Sequence, residues 1–345
     1  MKSINIDCII CTYNRPKRVS ILVEGLKMCS PSANKIIVVD SSDTVHHELK
    51  ADMSVIYLPS SHKNQPYQRY LGYKCASSDY LLYLDDDMEI LSYNIFHLLQ
   101  GYFESSNAVG IALNFRDKYR ETSLSRLPKS SLKFRGRLKA FKNYVSAYGE
   151  MPDGKLGLNG LRGSQPSTYG LTELISGGAF AVKRESIFED FNFQVFDLFE
   201  KRIGMGEDVI IGYTLSKQGE IYFLPEILFL HNDLQDSSYS MDIYRFSERV
   251  VYSRLYLTLE KVRLDDTCML KGRFIYHWHT LWRISGILIN FCTKPSRIRF
   301  LVLQGALVGW IKSFGFVFKG NSDLRSTYWS SECIKDLGLS NHKAG

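Results

Sequence analysis

No stretch of this chain of 345 residues offers the ~20 uninterrupted apolar residues that a membrane-spanning helix requires. A signal peptide is missing from the start, Met1-Lys2-Ser3-Ile4-Asn5. The seven cysteines are odd in number and carry no framework spacing. Together these absences predict a reducing cytoplasm and argue against a disulfide scaffold. Cys8-Ile9-Ile10-Cys11 has the C-x-x-C form, but it lies in an apolar run that reads as a strand. Residues three apart on a strand point to opposite faces, which argues against a redox or zinc pair. Acidic residues are absent from Thr267 to Ser322.

What is present is the balance of an ordinary globular protein, 45% hydrophobic and 23% charged. The length predicts one large domain with an appendage, or two domains. A formal charge of +7 suggests an anionic partner, whether nucleotide, nucleic acid or lipid headgroup. Ile4 to Ile10, Lys35 to Val39, Ser54 to Leu58 and Tyr80 to Leu84 read as short buried strands. Helices over 17–28, opened by Pro16, and over 65–77 separate them. This order predicts an α/β fold with a parallel, doubly wound sheet.

The fourth strand runs into Asp85-Asp86-Asp87. Three adjacent carboxylates cannot enter a core without neutralising partners, so they belong at the carboxyl edge of the sheet, where such folds bind ligands. A divalent cation is the simplest partner, and one held by one or two carboxylates commonly also takes phosphate oxygens. Tyr13 and Asp40 end neighbouring strands and face the same crevice. Tyr13 can stack on a base, Asp40 can accept hydrogen bonds from base or ribose, and Arg69 can neutralise phosphate. The convergence predicts a nucleotide site.

Three later stretches add to it. Glu173 to Val182 reads as a strand whose Gly177 and Gly178 allow a ligand close to the backbone. Gly204-Met205-Gly206-Glu207-Asp208 opens a helix to about Gln218, closed by Gly219. Glu207 and Asp208 there either complement the helix dipole or do chemistry. His231 follows an apolar run toward the same sheet edge, as a structural histidine or a ligand.

In order and spacing these segments, over residues 4 to 235, resemble family 2 glycosyltransferases of the GT-A fold, which are inverting enzymes. Cys11-Thr12-Tyr13-Asn14-Arg15 is similar to their base-contacting turn, Val38-Val39-Asp40-Ser41-Ser42 to their V-D-x-S element, Asn64 to Gly72 to their N-x-x-x-x-R-N-x-G helix with Tyr70 in place of Asn, and Asp85-Asp86-Asp87 to their D-x-D motif. The resemblance implies a Rossmann-like, mainly parallel sheet with flanking helices and a nucleoside-diphosphate sugar donor, UDP- or dTDP-linked. It implies donor binding by Cys11, Thr12, Tyr13, Arg15, Asp40, Arg69, Asp85 and Asp86. It implies Mn²⁺ or Mg²⁺ held by Asp87, Asp85 and His231. Asp208 would be the general base with Glu207 orienting it or binding acceptor, and Gly177 and Gly178 would lie on the acceptor side. The acceptor implied is a hydroxyl of a glycan or lipid-linked glycan in surface polysaccharide synthesis.

Two basic regions remain. Arg116 to Arg162 holds 12 Lys or Arg against 4 Asp or Glu, either a flap or anionic-acceptor contact, or a solvated insertion. The acid-free tail carries eight cations, with Phe274, Trp278, Leu281, Trp282 and Ile289 on one helical face. Such helices suit the surface of an anionic membrane, here the inner face of the cell membrane, or packing on the core or a second copy. The expected organisation is a catalytic domain over 1–235 and a helical region over 236–345. The catalytic domain would comprise a nucleotide half (1–115), the basic insertion (about 116–170) and an acceptor half (171–235). A sugar-nucleotidyltransferase would show an early Gly-rich phosphate loop, which Thr12 to Arg15 is not. A nucleic-acid-binding protein would place its positive charge in the crevice, not away from it, so no nucleic-acid partner is expected.

Overall fold

The structure, a computed structural model, describes residues 4–117, 152–232, 242–320 and 323–339. Its first half alternates β1 (Ile6–Thr12), α1 (Pro16–Lys27), β2 (Lys35–Asp40), α2 (His47–Ala51), β3 (Val55–Pro59), α3 (Gln65–Cys75) and β4 (Tyr80–Asp85). Then come β5 (Met88–Ile90), α4 (Ile95–Ser105), β6 (Ala108–Asp117), β7 (Gly170–Leu171), β8 (Ala179–Lys183), α5 (Gln194–Glu200), α6 (Glu207–Gln218) and β9 (Glu220–His231). Four helices follow, α7 (Ile243–Leu264), α8 (Met269–Thr293), α9 (Arg297–Phe314) and α10 (Asp323–Asp336).

The described strands form one nine-stranded sheet in the order β3-β2-β1-β4-β8-β6-β9-β5, with β7 paired to β9. The four strands at the β3 end run parallel; β8 is antiparallel to both β4 and β6. Alternation along each strand feeds two cores. Ile9, Ile37, Val39, Leu81 and Tyr83 meet α3 and α6 on one face. Cys8, Ile10, Ile36, Val38 and Leu82 meet α1 and α4 on the other. Gly72 permits this closeness, since a Cβ there would stand 2.5 Å from Ile9 Cγ2.

The mainly parallel sheet, the flanking helices and the C-terminal helical region agree with the sequence reading, while β5, β7 and β8 pair antiparallel. One strand is shorter than expected. Residues 173–178 are not part of β8, which begins at Ala179 after a bridge between Ser176 and Ala179. Thr172 explains the interruption: its hydroxyl takes the Leu174 N–H at 3.0 Å and its own N–H goes to Ile221 O, which turns the chain across the sheet. The two apolar runs after Gly219 make a single strand, β9, whose register with β6 shifts around Asn114 and Ile227. Most of the basic insertion, residues 118–151, lies outside the described residues.

Candidate active site

β1, β2 and β4 end level with one another, Cys11 opposite both Val39 and Asp85, and Thr12 opposite Asp40. Above these ends lies a cavity of about 600 Å³. Cys11, Thr12, Tyr13, Arg15, Asp85, Asp86, Asp87 and Glu207 line it; Asp40, Arg69, Gly177, Gly178, Asp208 and His231 are not among the lining residues.

Guanidinium groups neutralise the three acids. Arg15 donates through Nη1 to Asp86 Oδ1 at 2.8 Å and Asp87 Oδ2 at 3.0 Å. Thr12 donates its hydroxyl to Asp86 Oδ2 at 2.7 Å. Gln65 and Arg69 both donate to Asp85 Oδ1, at 2.8 and 3.2 Å. The Asp85 carboxyl is pushed up to about 7, by burial first and by Asp87, Asp86 and Glu207 beside it, against the pull of Arg69. Burial also raises Asp86, against Arg15 and Thr12. Asp87 differs: burial pushes it up, but His231 and Arg15 outweigh that and leave it below the ordinary carboxylate value.

β5 explains how His231 arrives. Met88 pairs with His231 across the β5–β9 ladder, and Asn232 N–H donates to the Asp87 carbonyl at 2.9 Å. This sets His231 Nε2 at 3.4 Å from Asp87 Oδ1. That oxygen is buried and, beyond this contact, has no hydrogen-bond partner. A buried carboxylate oxygen in this state, beside an imidazole nitrogen, suits a small divalent cation, whose neighbouring ligand atoms stand about 3 Å apart. Asp87 and His231 therefore fit such an ion. Among the described residues no group of three or more His, Cys, Asp or Glu converges in that way.

Arg69 takes a different position from the one expected. It is 1% exposed and meets no open space. Nη1 donates to Glu207 Oε1 at 3.0 Å, and Nη2 to Gly177 O at 2.8 Å as well as to Asp85. A phosphate could reach it only by displacing these partners. Its place in the fold is a tie between the acids after β4 and the first turn of α6. Gly206, with φ of 79°, makes the left-handed turn that opens α6. Burial raises the Glu207 carboxyl, Asp208 adds to the rise, and Arg69 opposes it. Asp208 Oδ2 accepts the Gly177 N–H at 3.1 Å and stands 3.6 Å from Arg162 Nη1. Gly177 thus lies between Arg69 and Asp208, where a Cβ would come to 3.4 Å from Arg69 Nη2. Gly178 offers its carbonyl to the Asp85 N–H at 3.0 Å, and a Cβ there would overlap Met88.

Asp40 is also turned inward. Tyr57 donates its hydroxyl to Oδ2 at 2.6 Å and Ser42 its N–H to Oδ1 at 2.8 Å, which shapes the loop beside the cavity. Tyr13 lies on the rim, with Lys63 Nζ over its ring at 4.9 Å. Sequence reasoning missed Lys63, Arg202 and Arg249, three cations that line the cavity. It missed Gln68 too, whose side chain clamps the Thr12 and Val39 carbonyls at 2.9 Å each. Gln68 precedes Arg69 in a helix already singled out, so it was within reach. Arg249 comes from α7, far along the chain, and no local pattern marks it.

Residues 7–161 match the family model "Glycosyl transferase family 2". No curated protein matches the sequence. Solved structures do, at low identity. S. aureus TarS residues 1–349 align at 13% identity and TM-score 0.51, over 96% of this chain and 88% of that one. The same protein in complex with UDP-GlcNAc aligns at 12% and 0.50, over 96% and 89%. A mannosyltransferase from Pyrobaculum calidifontis in complex with GDP-Man and Mn²⁺ aligns at 11% and 0.47, over 98% and 88%.

Proposed function

We propose that this protein, whose residues 7–161 match the model of glycosyl transferase family 2, is an inverting glycosyltransferase. It moves a sugar from a nucleoside-diphosphate donor, a UDP- or dTDP-sugar, to a hydroxyl of a glycan or lipid-linked glycan in surface polysaccharide synthesis. The observation that carries this reading is the Arg69 bridge, which joins Asp85 beside the cavity to Glu207 at the head of α6. One buried cation fixes the donor acids and the base-bearing turn relative to each other.

Donor and acceptor sides follow from that bridge. Tyr13, with Cys11 and Thr12, accepts the base, and the Asp40-braced loop closes the ribose side. Arg15, Lys63, Arg202 and Arg249 line the cavity where the two phosphates would lie. Asp87 Oδ1 and His231, with Asp85, would hold Mn²⁺ or Mg²⁺. Such an ion, when bound, offsets negative charge developing on the departing diphosphate. Asp208 takes the proton of the acceptor hydroxyl as its oxygen attacks the anomeric carbon and the bond to the diphosphate breaks. Glu207, held by Arg69, keeps the α6 turn in place. Gly177 serves the acceptor side through its backbone N–H, which holds Asp208 Oδ2. The catalytic unit spans residues 1–235, and the seven free thiols suit a reducing cytoplasm.

The test is release of nucleoside diphosphate by purified protein over a panel of nucleotide sugars, with Mn²⁺ and with EDTA. Slow, metal-dependent release from one donor is the expected result. No turnover and no calorimetric binding of any nucleotide sugar would overturn the reading.

A further inference from the structure

The two longest helices after α7 present an apolar face to solvent, and its layout points to one kind of partner. On α8, Leu270, Phe274, Trp278, Leu281, Trp282 and Ile289 are all exposed, Leu270 by 76% and Phe274 by 68%. At 100° per residue they fall within one third of the helix circumference. The opposite side, Gly272, Tyr276, Thr280 and Ile284, is buried. On α9, Phe300, Leu307, Ile311 and Phe314 are exposed along one stripe, while Leu303, Ala306 and Gly309 pack inward. Ring contacts hold the two helices side by side at both ends, Phe291 with Phe300 at 5.9 Å and His277 with Phe314 at 4.3 Å. Two adjacent helices thus each expose an aromatic and aliphatic stripe, far beyond scattered exposed residues.

Charge selects the occupant. Between Thr267 and Ser322 there are eight Lys or Arg and no acid. Lys294 is exposed in the turn between α8 and α9, Arg297 at the start of α9 and Lys271 at the start of α8. Arg299 shapes that turn by donating to the carbonyls of Lys294 and Asn290. A second copy of the chain, related by two-fold symmetry, would set cationic rim against cationic rim. An anionic lipid surface instead takes the apolar stripe among its acyl chains and the rim among its headgroups. Among the described residues no helix is long and apolar enough to cross a membrane, so the contact is peripheral. We infer that the α8–α9 face docks the protein on an anionic bilayer. The surface is one helix away from the cavity: Gly309 of α9 packs on the Glu248 carbonyl of α7, and Arg249, the next residue, lines the cavity.

Flotation of the full chain with vesicles tests this independently of any donor. Vesicles of phosphatidylcholine alone are compared with vesicles holding roughly 30% phosphatidylglycerol, at physiological salt. The protein is expected to float with the anionic vesicles only. Trp278→Ser/Trp282→Ser and Lys294→Glu/Arg297→Glu should each lower partitioning about tenfold or more, with unchanged thermal midpoints. Four outcomes would overturn the inference: no flotation with either vesicle; equal flotation with both; variants that float like the parent; or a concentration-dependent dimer that the tryptophan variant dissociates.

Discussion

Arg69 occupies the interior of the candidate site, and its removal has calculable consequences. It balances two carboxylates, Asp85 and Glu207, that burial already drives toward the neutral form. Arg69→Ala leaves both without their cation, which costs about 3–5 kcal/mol for a buried pair. Urea unfolding should show that loss, and donor turnover should fall with it; Arg69→Lys, which keeps the charge but lacks the forked reach, should recover part of the stability. Asp208→Asn is the complementary case. It keeps the shape beside Gly177 and removes the proposed proton acceptor, so turnover should drop by about 10²–10⁴ with nucleotide affinity unchanged. The placement of Asp85 and Asp87 at the cavity was legible in the sequence because an acidic stretch follows an apolar run. The inward turns of Arg69 and Asp40 were not, because a side chain's direction depends on partners brought from elsewhere in the chain.

Helix crossings set the next group of expectations. α9 lies against α7 closely enough that a Cβ at Gly305 would overlap the Tyr244 carbonyl, and one at Gly309 the Glu248 carbonyl. Gly305→Ala should therefore destabilise by about 1–3 kcal/mol, read by thermal or urea unfolding, despite the better helix propensity of alanine. At the far end of α7, Asp265 receives Tyr213 and Lys217 from α6 and Lys261 from its own helix. Burial raises the Asp265 carboxyl, but Lys217, Tyr213 and Lys261 outweigh it and leave it below the ordinary value. A depressed carboxyl stabilises in full above its unfolded value, about 3.9, and that contribution is lost as pH falls through the folded value. Asp265→Asn should cost about 0.5–1 kcal/mol at pH 7, the range of a partly screened pair, and the gap should close as the pH falls below about 4. Element boundaries followed from local chemistry where glycine marks them, as at Gly206 and Gly219 around α6. β8 escaped that reading because Thr172 turns the preceding residues by hydrogen bonds that no apolar pattern records.

Seen whole, the chain places an acidic cavity at the ends of a parallel half-sheet and a cationic, apolar surface on the helices beyond it. The fold class was readable because each strand of that half-sheet is an apolar run with a polar end. The cations that α5, α7 and their neighbours lend to the cavity required the assembled molecule. Ligands that gather the acids should stabilise all of it: Mn²⁺ with the cognate nucleotide at about 100 times Kd should add about 2.7 kcal/mol, seen as a raised thermal midpoint that EDTA abolishes. The most direct test of the central claim is calorimetric titration of nucleoside diphosphates, with Mn²⁺ present, into the parent, Asp87→Ala and Asp208→Asn proteins. The account predicts that one nucleotide binds the parent and Asp208→Asn alike, and that Asp87→Ala or EDTA removes the metal-dependent part. Nucleotide binding that survives both Asp87→Ala and EDTA undiminished would contradict it.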